Sequence, residues 1–178
     1  IEIVTVQALH HFGAIDYLAS RSIRLVTARK FCKEVLYIFK ERHYFAIGLQ
    51  NNSGGWELRN KYMKNSSSPK DITHIKNGRA KLIVTEGMFD LLSIVESDKS
   101  LQDKCDFLVL NSTAFVKRAI RYLDDYTRIE LYLDNDDSGK RTAKTLMENS
   151  QDCIDRSSLY NGFKDMNEWI VSGGPKII

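Results

Sequence analysis

Residues 81–97 read KLIVTEGMFDLLSIVES, and the fold turns on how this stretch is read. Lys81–Thr85 is a short, apolar, β-branched run of the kind buried in a parallel sheet. Gly87 lets the chain turn tightly, and residues from about Phe89 to Glu96 then have helical character. The segment is therefore strand, turn and helix, with Glu86 at the carboxyl end of the strand. The unit recurs on the C-terminal side. Phe107–Leu110 predicts a second strand and Ala114–Tyr122 a helix. Ile129–Leu133 predicts a third strand and Gly139–Met147 a helix, and Ser157–Tyr160 a short fourth strand before a terminal helix over Met166–Val171. Strands and helices alternating through short connections predict an α/β, Rossmann-like parallel sheet with helices on both faces. Such sheets place their working groups beyond the carboxyl ends of the strands.

On the N-terminal side the pattern differs. Residues 7–20 (QALHHFGAIDYLAS) place apolar side chains at mostly helical spacing, and Ser22 to Lys33 predicts a second short helix. Leu36–Phe39 and Tyr44–Leu49 are strand-like, and the Asn/Gly cluster at 51–55 predicts a hairpin returning through Trp56–Arg59, with a loop over 65–69. The expected organisation is a small basic α+β subdomain over residues 1–78, followed by the α/β domain over 79–178.

Charge separates along the same line. Residues 1–78 carry twelve Lys/Arg against six Asp/Glu, and residues 79–178 fourteen against seventeen. That split suits a protein that grips a polyanion with one part and holds cations with another, although a merely solvated basic surface fits as well. No apolar run approaches the roughly 18 residues needed to span a bilayer, and the start lacks the features of a signal peptide. Three scattered cysteines, Cys32, Cys105 and Cys153, have neither zinc-site nor disulfide spacing. A cytoplasmic protein with free thiols is the expectation, and a first residue other than Met suits a piece of a longer chain.

The acidic residues fall where chemistry is expected. Glu86 follows the first strand of the α/β part, while Asp134 and Asp136 follow the third and share one side of an extended segment. Packed carboxylates repel one another, so a divalent cation is their natural neutraliser, and Mg²⁺ prefers hard oxygen ligands. Each motif alone also reads as a helix cap or turn: Asp136 or Ser138 before the third helix, and Asp165 with Glu168 around the terminal one. His10 and His11 lack a metal-ligand partner at helical spacing, and Trp56 and Trp169 fit core positions better than base-stacking ones.

Taken together, VTEGMFD (84–90), YLDNDDSGKRTA (132–143) and FKDMNEWI (163–170) resemble, in order and placement, the motifs of the toprim family. That family includes DnaG-type primases, phage primase-helicases, topoisomerases and certain nucleases, and Lys-Asp-x-Asn-Glu is closest to the primase branch. Residues 17–24 (YLASRSIR) resemble a helix-turn segment of such primases, with Ser22 where Gly is usual. Residues 44–70 resemble their strands, glycine-rich turn and Ser-Pro loop. The resemblance implies a DNA primase-like nucleotidyltransferase that makes RNA primers on a single-stranded DNA template from nucleoside triphosphates. It implies Glu86, Asp134 and Asp136 as catalytic residues, joined by Asp165 in holding Mg²⁺ or Mn²⁺. Arg59, Lys61, Lys64, Lys164, Asp90 and Asn167 are the implied nucleic-acid and nucleotide contacts, with Gly54 and Gly55 allowing close backbone approach. A replicative helicase is a candidate partner and a zinc module before Ile1 a candidate requirement, and the architecture resembles that of the small primase-like proteins of bacterial mobile elements. A toprim nuclease and a non-catalytic nucleic-acid-binding module are the rival readings.

Overall fold

The protein is described here by a computed structural model covering residues 1–174. The chain forms two compact units, Ile1–Asp71 and Ile72 onward. The second begins earlier than residue 79 because Thr73–Ile75 is a strand of its sheet.

The first unit is a five-stranded antiparallel sheet with two helices. Its strands are β1 (Glu2–Gln7), β2 (Lys33–Phe39), β3 (Arg42–Gln50), β4 (Trp56–Arg59) and β5 (Lys64–Ser66), hydrogen-bonded in sequence order. The helices α1 (Phe12–Ser20) and α2 (Leu25–Phe31) follow β1. The predicted helix over 7–20 thus begins only at Phe12. Ahead of it, the Val4-Thr5-Val6 run takes the extended form its β-branched side chains favour, and pairs with β2. The helix entry is fixed by Glu34, 1% exposed, which accepts hydrogen bonds from the backbone N–H of His10 and His11 at 3.0 and 2.7 Å and from Gln7 Nε2 at 2.9 Å. Burial alone would raise the carboxyl pKa of Glu34, but these donors outweigh it and hold the group below its ordinary value.

Two local conformations explain residue choices in this unit. Ser22 sits at φ 56°, the left-handed region, which accounts for the glycine usual at that place in the primase pattern. The turn between β3 and β4 is closed by Asn51, whose Oδ1 accepts from the N–H of Ser53 and of Gly55. Its Nδ2 donates to Pro69 O at 2.8 Å. A Cβ at position 55 would lie 2.0 Å from that same Pro69 oxygen. The glycine therefore serves a contact within the unit. Trp56 is buried with Val35, Tyr37, Ala46 and Leu58, as a core residue.

The second unit is the mostly parallel α/β sheet. Its strands are β6 (Thr73–Ile75), β7 (Lys81–Thr85), β8 (Asp106–Val109), β9 (Arg128–Tyr132) and β10 (Cys153–Asp155), in spatial order β10-β9-β7-β8-β6, with only β6 antiparallel. The helices are α3 (Met88–Ser97), α4 (Leu101–Lys104), α5 (Val116–Ile120), α6 (Asp137–Asn149) and α7 (Met166–Val171). Leu82, Val84, Leu108, Ile129 and Leu131 bury one face of the sheet against Ala119 of α5 and Ala143 and Leu146 of α6. Helix α3 packs on β7, β8 and α7, and nearly every one of its residues is buried, polar Ser93 and Asp90 included. Two expectations change. The strand expected at Ser157–Tyr160 is a 3₁₀ turn, and the fourth parallel strand is Cys153–Asp155 before it. Tyr160 is instead fully buried, donating its hydroxyl to Leu133 O at 2.7 Å. The helix expected over Ala114–Tyr122 is a 3₁₀ turn at Thr113–Phe115 running into the short α5.

Glu130, 3% exposed on β9, lies within 2.8 Å of Lys81 Nζ, 2.6 Å of Arg128 Nη2 and 3.0 Å of Arg156 Nη2. Burial opposes its ionisation, yet hydrogen bonds from the three cations carry its pKa down from 4.5 to about 2. A depressed carboxyl pKa stabilises the fold above the unfolded-state value and loses that contribution as pH falls toward about 2. Urea midpoints measured from pH 6 down to pH 2 are therefore expected to fall less steeply for Glu130→Gln than for the wild type. The variant is also expected to be less stable at neutral pH, where three cations lose their counterion. Parallel curves of equal height would contradict this account.

Candidate metal centre

The parallel pairing of β7 with β9 sets Thr85 opposite Tyr132, so the chain leaves both strands at the same edge of the sheet. Glu86 directly follows β7, and Asp134 lies two residues beyond β9, at that same edge. Asp134 is joined by two carboxylates from elsewhere, Asp90 in the first turn of α3 and Asp165 at the N-cap of α7. One oxygen from each of Asp90, Asp134 and Asp165 lies within 4.8 Å of the others. Opposite oxygens around a hard divalent cation are separated by roughly 4.2 Å for Mg²⁺ and about 5 Å for Ca²⁺, so this spacing fits such an ion.

Asp90 is the most informative member. It is 8% exposed; its Oδ2 accepts from Gly87 N at 3.2 Å, and its buried Oδ1 has no hydrogen-bond partner. Its pKa stands well above the ordinary carboxylate range, first because it is buried and then because Asp165, Asp134 and Glu86 repel its charge. A buried carboxylate with one oxygen lacking a donor, clustered with two more carboxylates, is the arrangement a bound cation would satisfy.

The other residues singled out from the sequence separate into groups. Asp136 is exposed and caps α6, its Oδ1 accepting from Gly139 N at 2.8 Å, and it lies outside the three-aspartate cluster. Gly139 is required there, since a Cβ would sit 2.0 Å from Asp134 O. Glu86 is also outside the cluster, although near enough to raise Asp90. Its carbonyl accepts from Asn111 N at 3.0 Å, which ties the ends of β7 and β8 together. Lys164 is exposed, with Nζ 3.8 Å from Asp134 Oδ2. Asn167 is fully buried and donates to Ser93 Oγ at 2.8 Å, linking α7 to α3. In the first unit Lys61 and Lys64 are exposed at the β4–β5 hairpin. Arg59 is largely buried there, with Nη1 donating to Leu58 O at 3.0 Å and Asn65 O at 3.4 Å. Two supports carried no signal in the sequence. Tyr160 was hidden in an apparent strand, and Asn135 stands between two more conspicuous aspartates.

A toprim-like family model matches residues 83–170, the segment that carries all three aspartates. This segment is a toprim-like domain. Residues 3–68 match a second model, a domain of unknown function, DUF8464. No curated protein matches the chain. Among solved structures, the primase fragment of the bacteriophage T7 primase-helicase protein is similar over 95% of this chain and 75% of its own, with TM-score 0.67 and 19% identity. The T7 gp4 primase domains, solved with the lagging-strand DNA polymerase, an RNA/DNA hybrid and dTTP, are similar over 95% and 86%, with TM-score 0.65 and 20% identity. The zinc-binding and RNA polymerase domains of Aquifex aeolicus primase give TM-score 0.59 at 17% identity, over 94% of this chain and 54% of that one. The chain thus has the fold of primase fragments, a toprim-like domain preceded by an antiparallel sheet. No helix among the described residues is long and apolar enough to cross a membrane.

The toprim-like site makes a direct prediction for Asp90→Asn. An amide at this position removes one of the repelling charges and can donate to a neighbouring carboxylate. In EDTA the variant is expected to melt above the wild type, and added Mg²⁺ or Mn²⁺ is expected to raise its midpoint less than the wild type's. A bound ion at 100 times its Kd stabilises by about 2.7 kcal/mol, well within reach of thermal melts. A lower midpoint in EDTA with an unchanged metal response would contradict the site.

Proposed function

We propose that the protein is a primase-like nucleotidyltransferase core that joins ribonucleotides on a single-stranded DNA template with the help of Mg²⁺ or Mn²⁺. The observation that carries this reading is the Asp90–Asp134–Asp165 cluster, with its partnerless buried oxygen, at the carboxyl edge of a toprim-like sheet. The likeness in fold to primase fragments supports the choice of reaction.

In this reading the 3′-hydroxyl of one nucleotide attacks the α-phosphate of the next, and pyrophosphate leaves. Asp90, Asp134 and Asp165 would hold the metal, with Glu86 adding negative charge at the same edge. The bound ion would supply charge neutralisation on the phosphates and a more acidic attacking hydroxyl. Lys164, exposed beside Asp134, is positioned to meet a phosphate oxygen once the cluster's charge is neutralised. Lys61 and Lys64 would contact template or nucleotide phosphates, while Arg59 keeps their hairpin in shape. Asp136 serves the reaction only through the helix it caps. Holding reactants in line is the larger share of such catalysis, since oriented groups replace a collision of separate molecules.

The test is incorporation of labelled ribonucleotides on single-stranded DNA with Mg²⁺ or Mn²⁺, comparing wild type with Asp134→Asn and Glu86→Gln. Short products that fall by two orders of magnitude or more in Asp134→Asn, and fall in Glu86→Gln, are expected for a group acting on the reacting charge, roughly the loss seen when one stabilising donor is removed. Metal-dependent shortening of the template without products would assign the site to hydrolysis. Absence of both activities would contradict an enzymatic role for this chain on its own.

A further inference from the structure

Asp134 and Asp165 approach each other from segments separated by a helix, a strand and a turn. Asp134 follows β9, whereas Asp165 ends the irregular stretch after β10 and begins α7. The hydrogen bonds of the sheet end before either residue. Their separation therefore depends on what fastens residues 157–164 to the end of β9.

Asn135 does most of that fastening. Its backbone N–H donates to Lys164 O at 2.7 Å. Its side-chain Nδ2 donates to Phe163 O at 2.9 Å and Tyr160 O at 3.0 Å, with Ser157 O at a weaker 3.4 Å. One residue, adjacent to Asp134, thus gathers carbonyls from four positions of the segment that delivers Lys164 and Asp165. The acceptors are all carbonyls, so only a neutral or cationic donor suits the place, and a carboxylate there would face them with no proton to give. That electrostatic requirement separates position 135 from the aspartates on both sides of it.

We propose that Asn135 is a positioning residue that sets the affinity of the site for a divalent cation, by holding the Lys164–Asp165 segment against Asp134. The inference rests on the metal-binding role proposed above. Groups that orient metal ligands through hydrogen bonds change metal affinity by about 10–100-fold when removed. Loss of the Nδ2 donors leaves the Lys164 carbonyl bonded to the backbone and Tyr160 bonded to Leu133 O, but removes the side-chain ties to Ser157, Tyr160 and Phe163, so the distance of Asp165 from Asp134 is held less firmly.

The experiment is a calorimetric titration of Mn²⁺ into the whole chain, as wild type, Asn135→Ala, Asn135→Ser and Leu123→Ala. Leu123 is a core residue, 1% exposed and remote in role from the site, so its truncation destabilises the domain without touching the ligands. Asn135→Ala is expected to bind Mn²⁺ 10–100-fold more weakly. Asn135→Ser, whose hydroxyl keeps one donor, is expected to fall between Asn135→Ala and wild type, and Leu123→Ala to keep wild-type affinity despite its lower melting point. Wild-type affinity in both Asn135 variants, or an equal loss in Leu123→Ala, would overturn the positioning role while leaving the metal site intact. Absence of Mn²⁺ binding in the wild type would instead overturn the proposed metal site, and this inference with it.

Discussion

Three carboxylates held within 4.8 Å of one another at a sheet edge repel strongly, and the second unit is organised around containing that repulsion. Asp90 bears the greatest strain because α3 is buried on almost every side, which leaves the carboxyl little water. The segments that press the charges together are tied by specific bonds: Asn167 to Ser93 between α7 and α3, Tyr160 to Leu133, and Asn135 to the stretch before α7. Without a counter-charge such bonds would only fix an unfavourable arrangement, which is why a cation belongs in the account.

The same sheet holds a second buried carboxylate that shows the opposite solution. Glu130 is as deeply buried as Asp90, yet Lys81, Arg128 and Arg156 surround it and its pKa is held at about 2. Asp90 has neighbouring carboxylates instead, and its pKa is driven up. One carboxylate is neutralised by the protein's own side chains, so its role is structural. The other has no such internal counter-charge, and under the proposed reading a divalent cation would supply it. Perturbed groups of this second kind mark functional sites more often than groups locked in internal ion pairs.

Much of this organisation is legible in the sequence, for identifiable reasons. Strands β7, β8 and β9 are dense apolar runs because both faces of a parallel sheet are covered, and such runs stand out. The terminal helix is read correctly at Met166–Val171 because Asp165 caps it and a short apolar run follows. Elements that depend on partners distant in sequence are less visible. Strand β1 is half exposed and adjoins a helix of similar composition, and β6 is three residues long and defined only by its pairing with β8. Ser157–Tyr160 has a strand-like tail, but Tyr160 is aimed at Leu133 O by a 3₁₀ turn that no local pattern announces. At the site, the sequence marks Asp134 and Asp165 by their motifs and leaves the capping reading of Asp136 open, which is the role the structure gives that side chain. It conceals the weight of Asp90, since burial and the convergence of α3 with α7 are properties of packing. Asn135 is equally concealed, as its four acceptors lie more than twenty residues away along the chain.

The central claim is that Asp90, Asp134 and Asp165 together hold one divalent cation, and locating the ion tests it most directly. Crystals of the protein soaked in Mn²⁺ and measured at a wavelength where manganese scatters anomalously would show the position. The account predicts an anomalous peak within about 2.0–2.4 Å of an oxygen from each of the three carboxylates, the range for hard divalent ions and oxygen. A peak elsewhere, or none, with Asp90 Oδ1 instead donating a proton to a neighbouring carboxylate, would contradict it.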